Sequence, residues 1–529
     1  MTFHDARSVD AATLEADICI VGAGAAGITL ARELAGSTFR VVVLESGGFE
    51  FHHRPQLLYL GANVGLPSYS IARSRFRFFG GSTTRWGKQC RPLDAIDFEA
   101  RPGIDGSGWP LTLAELEPYY QRAQRICALG AFDYEHSTWL PGGPDNLRVV
   151  TGQLDTRIFQ FSHPSDFGAM YRDELSTARN VRVYLNANVV DIDRAGDRVT
   201  GVRVATFNGR RVAVKAGAVV LACGGIENAR LLLTAGGGAG GGIGNEHDLV
   251  GRYFMDHPYF LAGHFEAANP RHSRSAYVIE DYARVGIEQK ANAAFALPPD
   301  LLRAERLNSA AVYFVRRPSY KSAPEYFSAG GKSFAHLVDV LRHHELPSRD
   351  SGRHVLSAVR GYRDIGRTLA RQVRELVRPR PLLALRAVIE ATPNRESRVR
   401  LGPAKDHFGM PRVEVDWRLN ASDQLGLRRL LDVTRDEFRR LGLGTIVLDP
   451  AVDAVGWPNS MTGGKHHMGT TRMHVDPRCG VVDPHCRVHD CANLYVAGSS
   501  VFPTCGYANP TLTIVALAVR LCDRLKQVA

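Results

Sequence analysis

Residues Ala16 to Glu45 read ADICIVGAGAAGITLARELAGSTFRVVVLE, and they decide the fold. A short apolar run, Ala16 to Val21, leads without a break into Gly22-Ala-Gly24-Ala-Ala-Gly27, and an Ala/Leu-rich helical pattern follows through Leu34. A second strand, Arg40 to Leu44, ends at Glu45 and is followed by Ser46. In this strand, turn, helix, strand order each glycine has a task. Gly22 permits the tight turn, Gly24 lets the backbone approach a pyrophosphate, and Gly27 allows the helix to pack closely on the strand. Glu45 stands where a carboxylate can accept from a ribose 2′-hydroxyl, which favours FAD or NAD over NADP. A bare glycine turn without ligand is the competing reading, and the acid at the end of the second strand argues against it.

Two further segments bear on which dinucleotide is bound. Phe78-Phe79-Gly80-Gly81-Ser82-Thr83-Thr84-Arg85-Trp86-Gly87 is a glycine-rich loop with hydroxyls, an aromatic and a cation, able to lay backbone N–H groups against a planar heterocycle. The apolar run Ala218 to Ala222 turns at Gly224-Gly225 into the helical pattern Ile226 to Leu233. Two more chain passes beside the nucleotide-binding strands suggest an elongated dinucleotide with a bulky second half. Near the C-terminus, Lys465-His466-His467-Met468-Gly469-Thr470-Thr471 sets adjacent histidines in a loop, and Tyr507-Ala508-Asn509-Pro510-Thr511 opens a helical pattern running to about Arg524. Pro510 is expected as the first helical residue. The partial positive charge of that helix start suits the electron-rich edge of a reduced flavin.

Composition bounds the rest. The chain has 529 residues and a net charge of +11, with 44% hydrophobic and 22% charged residues, the proportions of an ordinary globular protein long enough for two domains. Of 65 basic residues 57 are Arg, a dispersed excess without any helix-turn-helix, finger or RNA-binding signature, so nucleic acid is not expected as a partner. Nine cysteines without paired spacing argue for free thiols in a reducing compartment, and the N-terminus has no secretory pattern, so a cytoplasmic location is expected. The longest uncharged run, Cys491 to Val519, is broken by Pro503, Gly506 and Pro510, which makes it a poor membrane span. Cys479, His485, Cys486, His489 and Cys491 follow no zinc or cluster spacing, and no metal is expected. The run Gly236 to Gly242 reads as a connector. Residues 342–380 hold ten Arg against Glu345, Asp350, Asp364 and Glu375, a local charge of +6 in a helical composition. They read either as a solvated helix or lid, or as a docking surface for an acidic partner, a membrane headgroup or a carrier protein.

Taken in order, GAGAAG with Glu45, FFGGSTTRWG, GWPLTLAELEPYY (108–120), LACGGIENARLLL, GRYFMDHP (251–258), ESRVRLG (396–402), HHMGTTRM and NLYVAGSSVFPTCGYANPTLT make the chain resemble the glucose–methanol–choline (GMC) flavoprotein oxidoreductases over nearly its whole length. The NARLLL and ANPTLT forms are most similar to bacterial members that oxidise sugars and pyranoses. The resemblance implies an α/β fold in which a Rossmann-like FAD domain is intertwined with a substrate domain built on an antiparallel sheet with helices behind it. It further implies oxidation of an alcohol, most concretely a secondary hydroxyl of a sugar, glycoside, polyol or similar polar metabolite, by oxygen or another electron acceptor. His466, three residues before the shared Gly-Thr, is the implied base as hydride passes to flavin N5, and Asn509 the implied partner. Cofactor contacts are expected from Gly22, Gly24, Ala25, Ala26, Gly27, Glu45, Ser46, Gly81, Ser82, Trp86, Gly87, Val190, Ala222, Gly498, Ser499, Asn509, Pro510 and Thr511.

A neutral imidazole is a competent base for an alcohol when proton and hydride loss are coupled and the developing alkoxide is hydrogen-bonded, a donor role open to Asn509. Against this stand plainer readings: His466 as a loop histidine, Asn509 as the cap of the following helix, His467 as packing. Some family members attach FAD through a histidine in the glycine-rich loop. Arg85 falls at that position here, so non-covalent FAD is expected. The iron–sulfur cysteines of some multi-subunit members have no counterpart, since only Cys223 lies between Cys127 and Cys479. Motif order assigns 1–100, 176–260 and 455–529 to the FAD domain and 101–175 and 261–454 to the substrate domain. The alternatives to alcohol oxidation are a non-redox, lyase-type reaction on the same fold and a non-catalytic flavoprotein subunit docking to a partner.

Overall fold

A computed structural model of the chain describes residues 2–66, 70–140, 149–237, 241–269, 277–278, 290–318, 328–342, 351–377, 381–452, 457 and 461–528. Strand Thr13–Val21 passes through helix Ala25–Leu34 into the parallel strand Val41–Leu44, a βαβ unit. Ile18, Cys19, Ile20 and Val41 to Leu44 are all buried, as parallel strands covered on both faces require. The turn demands glycine twice over. Gly22 has φ of +104°, and a Cβ on Gly27 would stand 1.8 Å from the Gly22 carbonyl oxygen.

Around this unit an eight-stranded sheet is ordered Phe3–Asp5, Val181–Leu185, Val41–Leu44, Thr13–Val21, Arg211–Leu221, Arg198–Ala205, Asn188–Ala195, with Leu494–Val496 also pairing Arg211–Leu221. The long strand Arg211–Leu221 serves two neighbours on one edge. Its first part pairs antiparallel with Arg198–Ala205, from Arg211↔Ala205 to Lys215↔Gly201, and its last three residues pair parallel with Leu494–Val496. A strand from near the C-terminus thus completes the sheet begun at the N-terminus.

A second eight-stranded sheet is antiparallel, ordered Gly444–Leu448, Pro258–Ala267, Pro381–Ile389, Ala310–Pro318, Ala291–Ala296, Asp155–Phe161, Gln89–Cys90, with Thr462–Gly463 on Pro258–Ala267. Helix Ser422–Arg440 covers one face: its Phe438 meets Phe265 edge-on at 5.2 Å, while Phe265 stacks on Phe314 at 4.8 Å. Because side chains alternate along a strand, the opposite face carries Tyr259, Phe159, Tyr313 and the neighbouring Tyr507. The expected α/β architecture with an intertwined antiparallel sheet is what the chain adopts. The second sheet also takes strands from Gln89–Cys90 and Thr462–Gly463, inside segments that the motif order allots to the first.

The C-terminal helix is Thr511–Val528, one residue later than the proline start expected. The Pro510 carbonyl accepts the Ile514 N–H at 2.8 Å, so the proline stands at the cap and orders the turn from there. In the arginine-rich segment the described residues form helices Ser351–Arg360 and Tyr362–Val377, while 343–350 and 378–380 lie outside the described residues.

Candidate active site

One cleft, with roughly 2260 Å³ of empty space including its open mouth, runs between the two sheets. Every cofactor residue expected from the sequence lines it except Gly27, whose hydrogen-sized side chain sits against the Gly22 carbonyl and holds the helix to the strand. Helix Ala25–Leu34 starts at Gly24 with no side-chain cap, so its first N–H groups are presented to the cleft. Helix Thr511–Val528 also opens there, through Pro510 and Thr511. Two helix starts in one cleft suit a ligand with two electron-rich parts. Glu45 is buried; its carboxylate accepts from Ala23 N and Gly47 N, both at 2.9 Å, and burial pushes its pKa up against those two bonds. Val190, Ala222, Gly498 and Ser499 lie on the wall. The donors and the carboxylate at the βαβ turn fit the diphosphate and ribose of FAD.

The histidine loop is fastened to the segment before strand Pro258–Ala267. Met255 and Met468 exchange two backbone hydrogen bonds of 3.0 Å, Gly464 N donates to His257 O at 2.9 Å, and buried Asp256 accepts from His466 N at 2.8 Å and Lys465 N at 3.1 Å. This pairing brings His257 Nδ1 to 3.0 Å from His466 Nδ1, with the rings edge-on at 85°. The sequence reading missed His257. Its signal was the charged and polar Asp256-His257 pair inside the otherwise apolar FMDHPYFL run, both of them buried.

All three rings are held neutral. Burial, then the neighbouring His257 and His467, push His466 well below 6.5. Burial lowers His257 to about 4, opposed by the backbone of Cys505 and Gly506, and lowers His467 to about 3. His467 packs elsewhere on the cleft: its ring stacks on Phe254 at 5.9 Å and its carbonyl accepts from Ser499 Oγ at 2.7 Å.

Asn509 does not cap its helix with its side chain. Its Oδ1 accepts from Tyr259 OH at 3.1 Å, and its Nδ2 donates to Gln89 O at 2.9 Å and to Gln89 Oε1 at 3.3 Å. Tyr259 stands 6.2 Å from the His466 ring, centre to centre, so histidine and asparagine share one wall of the cleft with Tyr259, Tyr313 and Arg386.

A second feature the sequence left unassigned is a buried ionic cluster on the same cleft. Glu227, in the first turn of helix Gly225–Thr234, binds Arg75 at 2.8 Å, Arg77 at 2.6 Å and Arg230 at 3.2 Å, and Arg230 reaches Asp406 at 2.7 Å. Burial pushes the Glu227 carboxyl up, but Arg230, Arg75 and Arg77 outweigh it and hold it at about 2. Both Arg75 and Arg77 lie over the Tyr59 ring, at 4.1 and 4.3 Å. Among the described residues no three His, Cys, Asp or Glu side chains converge on a metal site, and Cys486 and Cys491 are buried in the core.

The family model for GMC oxidoreductases matches residues 393–518, and that for FAD dependent oxidoreductases matches residues 17–239. A paromamine 6'-oxidase of Streptomyces fradiae is 25% identical over 95% of this chain and 90% of its own. A fructose dehydrogenase large subunit of Gluconobacter japonicus is 24% identical over 97% of this chain and 98% of its own. A C-glycoside 3-oxidase of Arthrobacter globiformis is 38% identical over a shorter stretch, 24% of this chain and 23% of its own. In fold, a pyridoxine 4-oxidase from Mesorbium loti superposes with a TM-score of 0.62 at 17% identity, covering 97% of this chain and 99% of that one. With the dinucleotide cleft, the paired histidine loop and these matches together, the chain is an FAD-dependent oxidoreductase that carries a GMC oxidoreductase C-terminal domain and acts on CH–OH groups.

Proposed function

We propose that this enzyme oxidises a secondary hydroxyl of a sugar, glycoside, polyol or similar polar metabolite to a carbonyl, with His466 as base and Asn509 as partner. The observation that carries this reading is the common wall: His466, Asn509 and the start of helix Thr511–Val528 line the cleft that also holds Glu45 and the Gly22 turn. When bound, FAD supplies the hydride acceptor. The chain's own contribution is to manage the proton. For His466 Nε2 to offer its lone pair to a hydroxyl, Nδ1 must carry the hydrogen, and His257 Nδ1 at 3.0 Å is the acceptor that favours this tautomer. His257, accepting on Nδ1, then carries its own hydrogen on Nε2. Asn509 Nδ2 is preset by Gln89, and the longer contact, 3.3 Å to Gln89 Oε1, is the one a substrate oxygen can displace. The polar relatives' substrates and the cation Arg386 beside two tyrosines support a hydroxyl-rich substrate over a plain aliphatic one.

In the same reading FAD is held without a covalent bond, since Arg85 occupies the loop position; acid precipitation should release the yellow colour into the supernatant. The eight-stranded mixed sheet and the antiparallel sheet are proposed as the cores of the FAD and substrate domains, and a reducing cytoplasmic compartment agrees with nine free thiols. The deciding experiment is anaerobic mixing of the flavoprotein with sugars, glycosides, polyols and aliphatic alcohols, followed by air. Bleaching by one polyhydroxylated class supports the proposal, and recolouring in air separates oxygen from another acceptor. Flavin that dithionite bleaches but no alcohol does would sink it in favour of a structural or lyase-type cofactor.

A further inference from the structure

Strands Ala310–Pro318 and Pro381–Ile389 are antiparallel neighbours in unbroken register, from Ala310↔Ile389 to Pro318↔Pro381. A short turn would join them. Instead 62 residues separate Pro318 from Pro381, and the described part of this insertion is helical: Ala329–Arg342, Ser351–Arg360 and Tyr362–Val377. The insertion is braced internally. Gly330 and Gly361 meet backbone to backbone, a Cβ on Gly330 falling 2.6 Å from the Gly361 Cα; Ser333 Oγ lies 3.2 Å from His354 Nδ1, and Ser357 Oγ donates to Ala329 O at 3.2 Å.

Helix Tyr362–Val377 has its apolar side turned outward. Tyr362, Val373, Leu376 and Val377 are 64%, 60%, 77% and 76% exposed, and among the described residues nothing covers them. At about 100° per residue they fall within an arc of roughly 100°. The buried side of the helix instead carries Thr368. Arg363, Arg367, Arg371 and Arg374, all exposed, form a second row within roughly 80° of arc, directly beside the apolar one. The preceding helix exposes Val355 and Val359 as well.

We infer that this insertion docks the enzyme on an anionic lipid surface, with helix Tyr362–Val377 lying in the plane of the interface. An apolar stripe alone would serve a protein partner, and an arginine row alone any polyanion. The two running side by side along one helix match a bilayer interface, where the stripe enters the acyl boundary and the arginine stems lie along it with their guanidinium groups at the lipid phosphates. The +6 charge of residues 342–380 gives the long-range attraction. A second copy of the chain is the poorer occupant, because joining two such stripes would bring two arginine rows together. No helix among the described residues is long and apolar enough to cross a membrane, so the contact is peripheral.

The test is co-sedimentation of the flavin-loaded enzyme with vesicles of phosphatidylglycerol mixed into phosphatidylcholine, against phosphatidylcholine alone. The expected result is at least about tenfold more bound enzyme on the anionic vesicles at low salt, most of it released at about 1 M salt. Val373→Asp with Leu376→Asp, and separately Arg367→Gln with Arg371→Gln and Arg374→Gln, should each lower binding by about tenfold while flavin reduction is unchanged. Where the aspartates lower the melting temperature, the Val373→Ser, Leu376→Ser pair replaces them. Equal binding to both vesicles, no binding to either, or loss of binding in the arginine variant alone would overturn the inference. So would a concentration-dependent dimer that the apolar variant abolishes.

Discussion

Replacing His466 by alanine separates chemistry from architecture, because the structure anchors the loop without the ring. Asp256, Met255 and His257 hold the backbone of Gly464 to Met468 through main-chain contacts that a truncated side chain leaves in place. The ring itself makes one neutral hydrogen bond, the 3.0 Å contact to His257, worth about 1 kcal/mol. It is partly buried beside His257 and Tyr259 and opens on the cleft, so its removal widens the cleft rather than leaving a sealed cavity. That loss is small beside a domain stability of about 5–15 kcal/mol, and His466→Ala should fold and keep its flavin. General-base catalysis is worth about 10²- to 10⁴-fold, or about 3–5.5 kcal/mol of barrier, and this is what reduction should lose. The assay is anaerobic stopped-flow flavin reduction, with flavin content and melting temperature measured on the same preparation. Reduction within about threefold of wild type would refute the base assignment, since that corresponds to under 1 kcal/mol of barrier.

His257→Leu removes the acceptor that sets the His466 tautomer, so reduction should slow by about tenfold through kcat with KM little changed; an unchanged kcat would leave His257 a packing residue. Because burial keeps His466 well below 6.5, the reduction rate should stay level from about pH 8 to 6, and a fall with a midpoint near 6.5 would show an ordinary exposed imidazole at work. Stability has its own acid limb: His257 goes from 6.5 unfolded to about 4 folded, so the unfolded chain takes up protons first. The folded state should lose up to about 3 kcal/mol as pH falls from 6.5 towards 4, and urea titrations of His257→Asn should show a shallower limb. Glu227→Gln removes the carboxylate that pairs Arg75, Arg77 and Arg230, leaving Asp406 to Arg230, and should cost about 3–5 kcal/mol, read as a lower urea midpoint. Gly27→Ala puts a methyl 1.8 Å from a backbone oxygen that cannot move aside, so the purified protein should contain little or no flavin.

Features whose causes are local could be read directly along the chain. The Gly22 turn, the close pass at Gly27, the carboxylate at Glu45 and the proline-led start of the last helix follow from sterics and hydrogen bonding within a few residues, and each was legible there. His466 and Asn509 were legible too, but through motif order, which carries identity and not geometry. Their surroundings are set by packing between distant segments. His257 meets His466 across 209 residues, Tyr259 meets Asn509 across 250, and Gln89 meets Asn509 across 420. Arg75 meets Glu227 across 152, turning two unremarkable charges into one buried cluster. Whether Asn509 caps its helix or turns to Tyr259 depends on which acceptors and donors arrive from the antiparallel sheet, and that is a property of the packed chain. The outward face of helix Tyr362–Val377 is of the same kind: periodicity shows that a stripe exists, and only packing shows that it remains exposed.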